Sequence, residues 1–111
     1  MYSSVNEYFT TMDFKTTNKS IWETVFQDEK HHQMRKDAGV TYCSYNSNRN
    51  DGNDLMVCYK YDSKDVMENH KQVFTKLLEE NREKWSKLGD LNSIEFNHWK
   101  ILCECSNDMR F

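Results

Sequence analysis

The sequence contains no proline and one alanine, and it has few aliphatic residues. Leu, Ile, Val and Phe make up 21 of its 111 residues, just under the roughly 20% below which disorder becomes a concern. Its charges nearly balance, however, with 15 basic and 18 acidic residues, and its 6 Phe, 6 Tyr and 3 Trp supply large apolar surfaces. We therefore expect a single folded domain over residues 1–111, with loose ends at 1–6 and 106–111. Its thin aliphatic core favours oligomerisation.

Long apolar runs are also absent. No stretch approaches the roughly 18–20 apolar residues of a membrane span, and Met1–Asn6 lacks the basic start and apolar core of a signal peptide. A net charge of −3 and a pI near 5.8 weigh against nucleic acid as the main partner. The sequence thus predicts a cytoplasmic protein that binds neither membranes nor nucleic acid.

Four cysteines are present, at Cys43, Cys58, Cys103 and Cys105. In a chain without a signal peptide we expect reduced thiols that pack as small apolar side chains. Cys103-x-Cys105 is one residue shorter than the C-x-x-C spacing of zinc sites, and no second pair completes a set of four ligands. We therefore predict no metal and no cofactor.

The spacing of apolar residues alternates along the chain between the period of strands and that of helices. A capping-box spacing at Ser20–Glu23 and the glycine Gly39 delimit a first helix of about 18 residues. Apolar residues at i, i+3, i+4 and i+7 predict a second helix that opens at Asp62–Asp65 and ends at Gly89. The predicted strands are Glu7–Lys15, Val40–Ser47, Leu55–Tyr61 and Ser93–Glu104, the middle two joined by a hairpin turn at Asp51-Gly52. The order β-α-β-β-α-β is that of the α+β ferredoxin-like fold.

In that fold both helices cover one face of a four-stranded sheet, so the other face should be polar. The third strand is instead apolar on both faces over Leu55–Tyr59. The fourth strand has apolar residues on both faces as well, with Ile94, Phe96 and Leu102 on one and Trp99, Ile101 and Cys103 on the other. Since no chain remains to cover the second face, we expect a second copy there, which makes a symmetric homodimer.

Together with this order of elements, one segment resembles the dimeric α/β-barrel superfamily, and within it small uncharacterised proteins of marine microbes. The segment is Ile21-Trp-Glu-Thr-Val-Phe-Gln-Asp-Glu-Lys-His-His, followed by Ala38-Gly39-Val40. The resemblance covers about Glu7–Glu104 and includes no catalytic signature. It implies two ferredoxin-like subunits packed sheet to sheet, with an apolar cavity between helices and sheet that accepts aromatic, polyketide or acyl compounds.

The superfamily also includes cofactor-independent monooxygenases, haem-degrading oxygenases, polyketide cyclases and muconolactone isomerases. The Asn, Trp and His pattern of the haem-degrading members is poorly matched, because only Asn6 is placed to complete a set with Trp85 and His70. A shared fold sets an expectation for the type of ligand and does not select a reaction.

His70 is the main candidate for chemistry. At 100° per residue it falls in the middle of the apolar stripe of the second helix and should point between helix and sheet. It is either a core histidine bonded to a carbonyl or a tyrosine hydroxyl, or an acid–base or ligand-orienting group in an apolar cavity. A strand tyrosine such as Tyr59 would then be the proton donor beside it. Asn81, on the same stripe, either caps a backbone group or meets a polar ligand head.

The predicted inner face of the first helix starts apolar and continues polar, in the order Trp22, Val25, Phe26, Glu29, His32, Gln33 and Lys36. Because Glu29 and His32 would be costly to bury without partners, the helix end either leaves the sheet or forms a polar mouth to the cavity. His31 falls on the opposite face and is expected in solvent. His31-His32 also lacks the i, i+4 spacing of a helical metal site.

Three functions follow. The first is a protein that binds an apolar, fatty-acid-like or polyketide-like molecule between helices and sheet, lined by Trp22, Phe26, His70, Phe74, Leu77, Asn81 and Trp85. The second is a cofactor-independent monooxygenase or a cyclase/isomerase with His70 as general base. The third is a non-catalytic dimeric structural module.

Overall fold

The computed structural model describes residues 6–16, 28–47 and 54–103. Its strands and helices are β1 (Tyr8–Thr16), α1 (Glu29–Ala38), β2 (Tyr42–Ser47), β3 (Asp54–Tyr61), α2 (Lys64–Glu80), α3 (Arg82–Ser86) and β4 (Gly89–Lys100). The order of elements confirms the predicted ferredoxin-like α+β subunit, with the short helix α3 added before β4. The predicted turn at Asp51-Gly52 lies outside the described residues.

The four strands form one sheet in the order β2-β3-β1-β4, in which all neighbours are antiparallel. In the central strand β1, Met12 pairs with Val57 of β3 on one side and with Phe96 of β4 on the other. Directly opposed residues of antiparallel strands share a face, so these three side chains point to the same side. Helix α2 packs on β1 and β3, and α1 packs on α2.

The core lies between α2 and this face of the sheet. Every second residue of β3 is buried, and helices α1, α2 and α3 each add large side chains to the same layer. The apolar core residues are Met12, Phe14, Met34, Leu55, Val57, Tyr59, Tyr61, Met67, Phe74 and Trp85. Five of these ten residues are aromatic and three are methionines, whereas only Leu55 and Val57 are aliphatic. This composition reflects the shortage of Leu, Ile and Val in the sequence.

The second face of the sheet is aromatic at one end and charged at the other. Phe9 of β1 pairs with Trp99 of β4, and their rings stack with centroids 6.2 Å apart. Trp99 is 55% exposed and Tyr42, on the β2 edge, is 47% exposed. At the opposite end Asp13 pairs with Glu95. The apolar character expected of this face is therefore concentrated around Phe9 and Trp99.

The first helix starts later than predicted. Asp28 is its N-cap, with an extended ψ of 145°, and the Asp28 carboxylate accepts a hydrogen bond of 2.8 Å from the backbone N–H of Lys30. The continuous helix predicted from Ser20 is thus wrong at Asp28, and the capping-box residues lie outside the described ranges. At the other end Gly39 adopts φ +84°, the left-handed conformation predicted for this position.

This later start changes which side of α1 faces the core. The buried residues are His31, Met34 and Ala38, at spacings of three and seven. The placement of His31 in solvent is therefore wrong. The polar residues predicted to follow the inner stripe, Glu29, His32, Gln33 and Lys36, are all exposed. The prediction extended the helical phase of Trp22 and Phe26 beyond Asp28, whereas Asp28 is the N-cap of α1 and sets its phase.

The second helix is also shorter than predicted. It ends at Glu80, and Asn81 separates it from α3, so the prediction of one helix up to Gly89 is wrong. Gly89 instead begins β4, where a Cβ atom would lie 2.5 Å from the Phe14 ring and 2.6 Å from the Lys15 carbonyl oxygen. The last strand starts four residues early and ends at Lys100, and Leu102, beyond it, is 92% exposed.

Candidate functional site

Helix α2 brings its buried side chains over the centre of the sheet. Its N-terminus is capped by Ser63, whose hydroxyl accepts a hydrogen bond of 3.3 Å from the backbone N–H of Val66. From there Met67, His70 and Phe74 follow at spacings of three and four and are all buried. The prediction that His70 points between helix and sheet is confirmed, since it is 2% exposed.

His70 lies among aromatic rings. Its ring centroid is 4.5 Å from that of Tyr59, 5.4 Å from that of Tyr61 and 6.1 Å from that of Phe74. Its Nδ1 atom is 2.5 Å from the hydroxyl oxygen of Tyr61. Both tyrosines are on the helix-facing side of β3, where residues two apart in a strand share a face. His70 is thus the hydrogen-bonded core histidine of the first expectation, with a tyrosine as its partner.

Two polar atoms of this cluster are buried without a partner. Neither His70 Nε2 nor the Tyr59 hydroxyl has a hydrogen-bond partner among the described residues. Each such group costs roughly 1–3 kcal/mol when it is removed from water and left unpaired. The rings that carry them are adjacent, with centroids 4.5 Å apart.

Burial keeps the cluster uncharged. It lowers the pKa of His70 from 6.5 to about 4, and the nearby charges of Arg35 and His98 lower it further in the same direction. Burial also raises the pKa of the Tyr59 and Tyr61 hydroxyls above the ordinary value. At neutral pH the imidazole is therefore neutral and both phenols are protonated. The site offers hydrogen bonds and dipoles rather than ionic charge.

His31 is a functional candidate that the sequence analysis missed. It is 2% exposed, with its ring centroid 5.8 Å from that of Phe74 and 6.1 Å from that of Trp85. Burial lowers its pKa to about 3, and the charge of Arg35 acts in the same direction. A helix predicted to begin after Asp28 would have placed His31 on the same face as Met34 and Ala38, and therefore in the core.

The structure brings together some of the predicted site residues and separates others. Phe74 and Trp85 are buried with ring centroids 6.1 Å apart, and Leu77 is half-buried at the edge of the core. Asn81 lies eleven residues beyond His70, about 16 Å along a helix axis. Its amide nitrogen donates a hydrogen bond of 2.8 Å to the Leu77 carbonyl, so it acts on the backbone at the helix end. Trp22 and Phe26 lie outside the described residues.

Described residues form three surface depressions among others. One of about 380 Å³ lies at the charged end of the second sheet face, next to Asp13, Asp54 and Glu95. The other two border the end of α1 near His32 and the junction of α2 and α3 near Asn81. His70 lines none of these three.

Two further features concern residues 6–16, 28–47 and 54–103. No group of three or more His, Cys, Asp or Glu side chains is arranged there to hold a metal ion. No helix in these ranges has the length and apolar character needed to cross a membrane.

The fold is similar to that of several solved structures of low sequence identity. A dimeric ferredoxin-like protein from an uncultured marine organism is 16% identical, with 91% of this chain and 92% of that chain covered and a TM-score of 0.68. A monooxygenase from the gene ActVA-Orf6 of Streptomyces coelicolor, in complex with nanaomycin D, is 10% identical, with coverages of 86% and 88% and a TM-score of 0.66. SnoaB, a cofactor-independent oxygenase from Streptomyces nogalater, is 10% identical, with coverages of 94% and 99% and a TM-score of 0.60.

No protein-family model matches the chain, and no curated protein matches it in sequence. At these identities the structural similarity establishes the fold. That fold is the ferredoxin-like one, which the resemblance seen in the sequence also implies. Proteins with this fold include uncharacterised proteins and cofactor-independent oxygenases.

Proposed function

We propose that this protein binds an apolar small molecule whose single polar group reaches His70 and Tyr59. The observation that carries the proposal is the pair of adjacent buried groups, His70 Nε2 and the Tyr59 hydroxyl, that have no partner among the described residues. The large majority of buried side-chain polar atoms are hydrogen-bonded, so two unpaired groups on adjacent rings favour a ligand site.

The side chains around His70 support one class of ligand. The packed rings of Tyr59, Phe74 and Trp85 would suit an aromatic or acyl body. Since His70 is neutral, a multiply charged phosphate would be buried there without compensation. Arg35 of α1 is a permanent cation whose charge acts on His70, beside the titratable His98, and a single cation balances one carboxylate at most. A fatty-acid-like or polyketide-like compound fits these conditions.

The proposal includes a homodimer. Phe9, Trp99 and Tyr42 lie on the sheet face opposite α2, and Trp99 and Tyr42 are about half exposed in a single chain. A second copy packed on this face would bury all three. The marine protein with the same fold is described as dimeric, which supports this assembly.

Thermal unfolding with a ligand panel tests the binding. A ligand at about 100 times its Kd stabilises the folded state by about 2.7 kcal/mol, which raises the unfolding midpoint. We expect decanoate and an aromatic polyketide to raise it, and nucleotides and sugar phosphates to leave it unchanged. The Tyr59→Phe variant should respond less to the same ligands, because it lacks one of the two groups that hold the polar end. Stabilisation by nucleotides alone would contradict the proposal.

Catalysis by His70 is a second candidate, as a cofactor-independent monooxygenase or a cyclase/isomerase. It is favoured by the neutral Nε2 atom, which can accept a proton from a bound substrate, with Tyr59 as the adjacent donor. A pKa of about 4 makes His70 a weak base at neutral pH, however, so binding is the better-supported role. Turnover of an aromatic polyketide that is abolished in a folded His70→Phe variant would favour catalysis. A dimer that binds none of the panel ligands would favour the third function, a non-catalytic dimeric structural module.

A further inference from the structure

A chain of side-chain hydrogen bonds runs from His70 across the sheet to the surface. His70 Nδ1 is 2.5 Å from the Tyr61 hydroxyl, which also forms a hydrogen bond with the hydroxyl of Thr10. Thr10 Oγ1 is in turn 2.8 Å from Nδ1 of His98. His70, Tyr61 and Thr10 are buried, whereas His98 is exposed. The chain thus connects a buried imidazole to one that exchanges protons with water.

The register of the sheet produces this chain. Thr10 of β1 pairs with His98 of β4, so both side chains lie on the face that α2 covers. On its other side Thr10 pairs with Tyr59 of β3, and Tyr61 is the next β3 residue on the same face. The hydroxyl of Thr10 is therefore placed between Tyr61 and His98.

If each hydroxyl donates its single proton within the chain, the protons have two arrangements. In the first, His98 Nδ1 donates to Thr10, Thr10 to Tyr61, and Tyr61 to His70 Nδ1. The ring proton of neutral His70 is then on Nε2. In the second, every bond is reversed, His70 Nδ1 donates to Tyr61, and Nε2 carries a lone pair.

We propose that Thr10 and His98 are positioning residues that set the tautomer of His70. A protonated His98 has a hydrogen on both ring nitrogens and can only donate, so it imposes the first arrangement. A neutral His98 permits either arrangement. The unpaired Nε2 atom of His70 is therefore a hydrogen-bond donor when His98 is protonated and is able to accept when His98 is neutral.

The groups around the two histidines favour protonation of His98 before His70. The response of His70 is therefore a change of tautomer and not a change of charge. Burial lowers the pKa of His98, Lys71 of α2 lowers it further, and Glu68 of α2 opposes both. Burial, Arg35 of α1 and His98 itself hold the pKa of His70 down to about 4. His98 is much less buried than His70, so we expect it to be the first of the two to take up a proton on acidification.

The inference deepens the proposed function, on which its meaning for the ligand rests. With Nε2 as a donor, the site takes a carbonyl or carboxylate oxygen. With Nε2 as an acceptor, it takes a hydroxyl hydrogen. Thr10 and His98 would thereby determine which polar group is accepted, without either residue touching the ligand.

The test is NMR of the full-length, ligand-free protein with ¹⁵N-labelled histidine. Long-range ¹H–¹⁵N correlation spectra distinguish protonated from unprotonated ring nitrogens at each pH. In the wild-type protein we expect the fraction of His70 that carries a proton on Nε2 to rise with the same midpoint as the titration of His98. A His70 tautomer that does not follow the titration of His98 would overturn the inference.

Matched variants isolate the chain of bonds. Thr10→Val keeps the volume and removes the hydroxyl, so His70 should no longer follow His98, whereas Thr10→Ser should retain the coupling. Thr11→Val, on the opposite sheet face, should change nothing. If Thr10→Val does not fold, His98→Gln at the exposed end of the chain of bonds serves instead. The tautomer of His70 should then no longer change at the pH at which His98 titrates in the wild-type protein. Unchanged coupling in Thr10→Val, or an unchanged midpoint in His98→Gln, would contradict the role of these residues.

The two proposals fail separately, because these spectra need no ligand. If the His70 tautomer follows His98 but the protein binds none of the panel ligands, the proposed function is contradicted and the control of the tautomer is supported. Ligand binding without coupling would remove the tautomer control alone.

Discussion

The ring of Tyr59 lies against the imidazole of His70, with centroids 4.5 Å apart, but the two side chains are not hydrogen-bonded to each other. His70 is bonded instead to Tyr61, two residues further along the same face of β3. Two buried tyrosines thus present the same group to the same histidine, one with partners and one without any among the described residues. The contrast makes them a matched pair for experiment.

Replacing each tyrosine by phenylalanine should have opposite effects on stability. Tyr61→Phe leaves His70 Nδ1 without its partner and removes one of the two partners of the Thr10 hydroxyl, so we expect the free energy of unfolding to fall by about 1–3 kcal/mol. Tyr59→Phe removes an unpaired hydroxyl, and we expect no loss or a gain of about 1 kcal/mol. Urea unfolding of ligand-free protein measures both. An equal loss in the two variants would contradict the assignment of the unpaired group.

Stability should depend on pH through the two buried histidines. Burial lowers the pKa of His31 to about 3 and that of His70 to about 4, from 6.5 in the unfolded chain. Between about pH 4 and 6.5 the unfolded chain therefore binds more protons than the folded protein. We expect the stability contributed by these groups to be complete above about pH 6.5 and to fall on acidification, by about 1.4 kcal/mol per pH unit for each histidine.

Urea unfolding between neutral pH and about pH 5 measures this dependence. His31→Leu should reduce the slope by about half, since one of the two titrating groups is removed. His32→Gln is the control, because His32 is the exposed neighbour of His31. Equal changes in slope for the two variants would be inconsistent with the burial of His31.

Asn81 should contribute to stability without affecting the ligand. Its amide donates to the Leu77 carbonyl, so Asn81→Ala is expected to lower the free energy of unfolding by about 1 kcal/mol. Because Asn81 lies about 16 Å from His70 along the helix axis, the midpoint shift caused by decanoate should be unchanged. Asn69→Ala, at an exposed position of α2, is the control for stability. If decanoate raises the unfolding midpoint of Asn81→Ala less than that of the wild-type protein, Asn81 contributes to the ligand site and this prediction is wrong.

The second sheet face should determine the oligomeric state. Sedimentation equilibrium of the wild-type protein at micromolar concentration is expected to give twice the chain mass of 13.4 kDa. Trp99→Glu places a charge beside Phe9 at the proposed interface and should dissociate the dimer. Gln72→Glu adds the same charge on the exposed side of α2 and should leave the mass unchanged. A stable, folded wild-type monomer would contradict the homodimer.

The sequence alone determined the order of elements, the glycine at the end of α1 and the inward direction of His70. These features depend on local patterns, since the apolar spacing around His70 and the left-handed conformation of Gly39 are each specified by a few neighbouring residues. The same patterns misplaced His31, because they extended one helical phase through Asp28, which is the N-cap of α1 and has a non-helical ψ.

Only the tertiary structure decided which polar groups meet. Tyr59 and Tyr61 have the same residue type, strand and face, so the sequence had no means of assigning one of them to His70. Thr10 and His98 are 88 residues apart, and their hydrogen bond exists because β1 and β4 are paired in one particular register. Periodicity specifies the face on which a side chain lies, whereas hydrogen-bond partners depend on how distant strands are aligned.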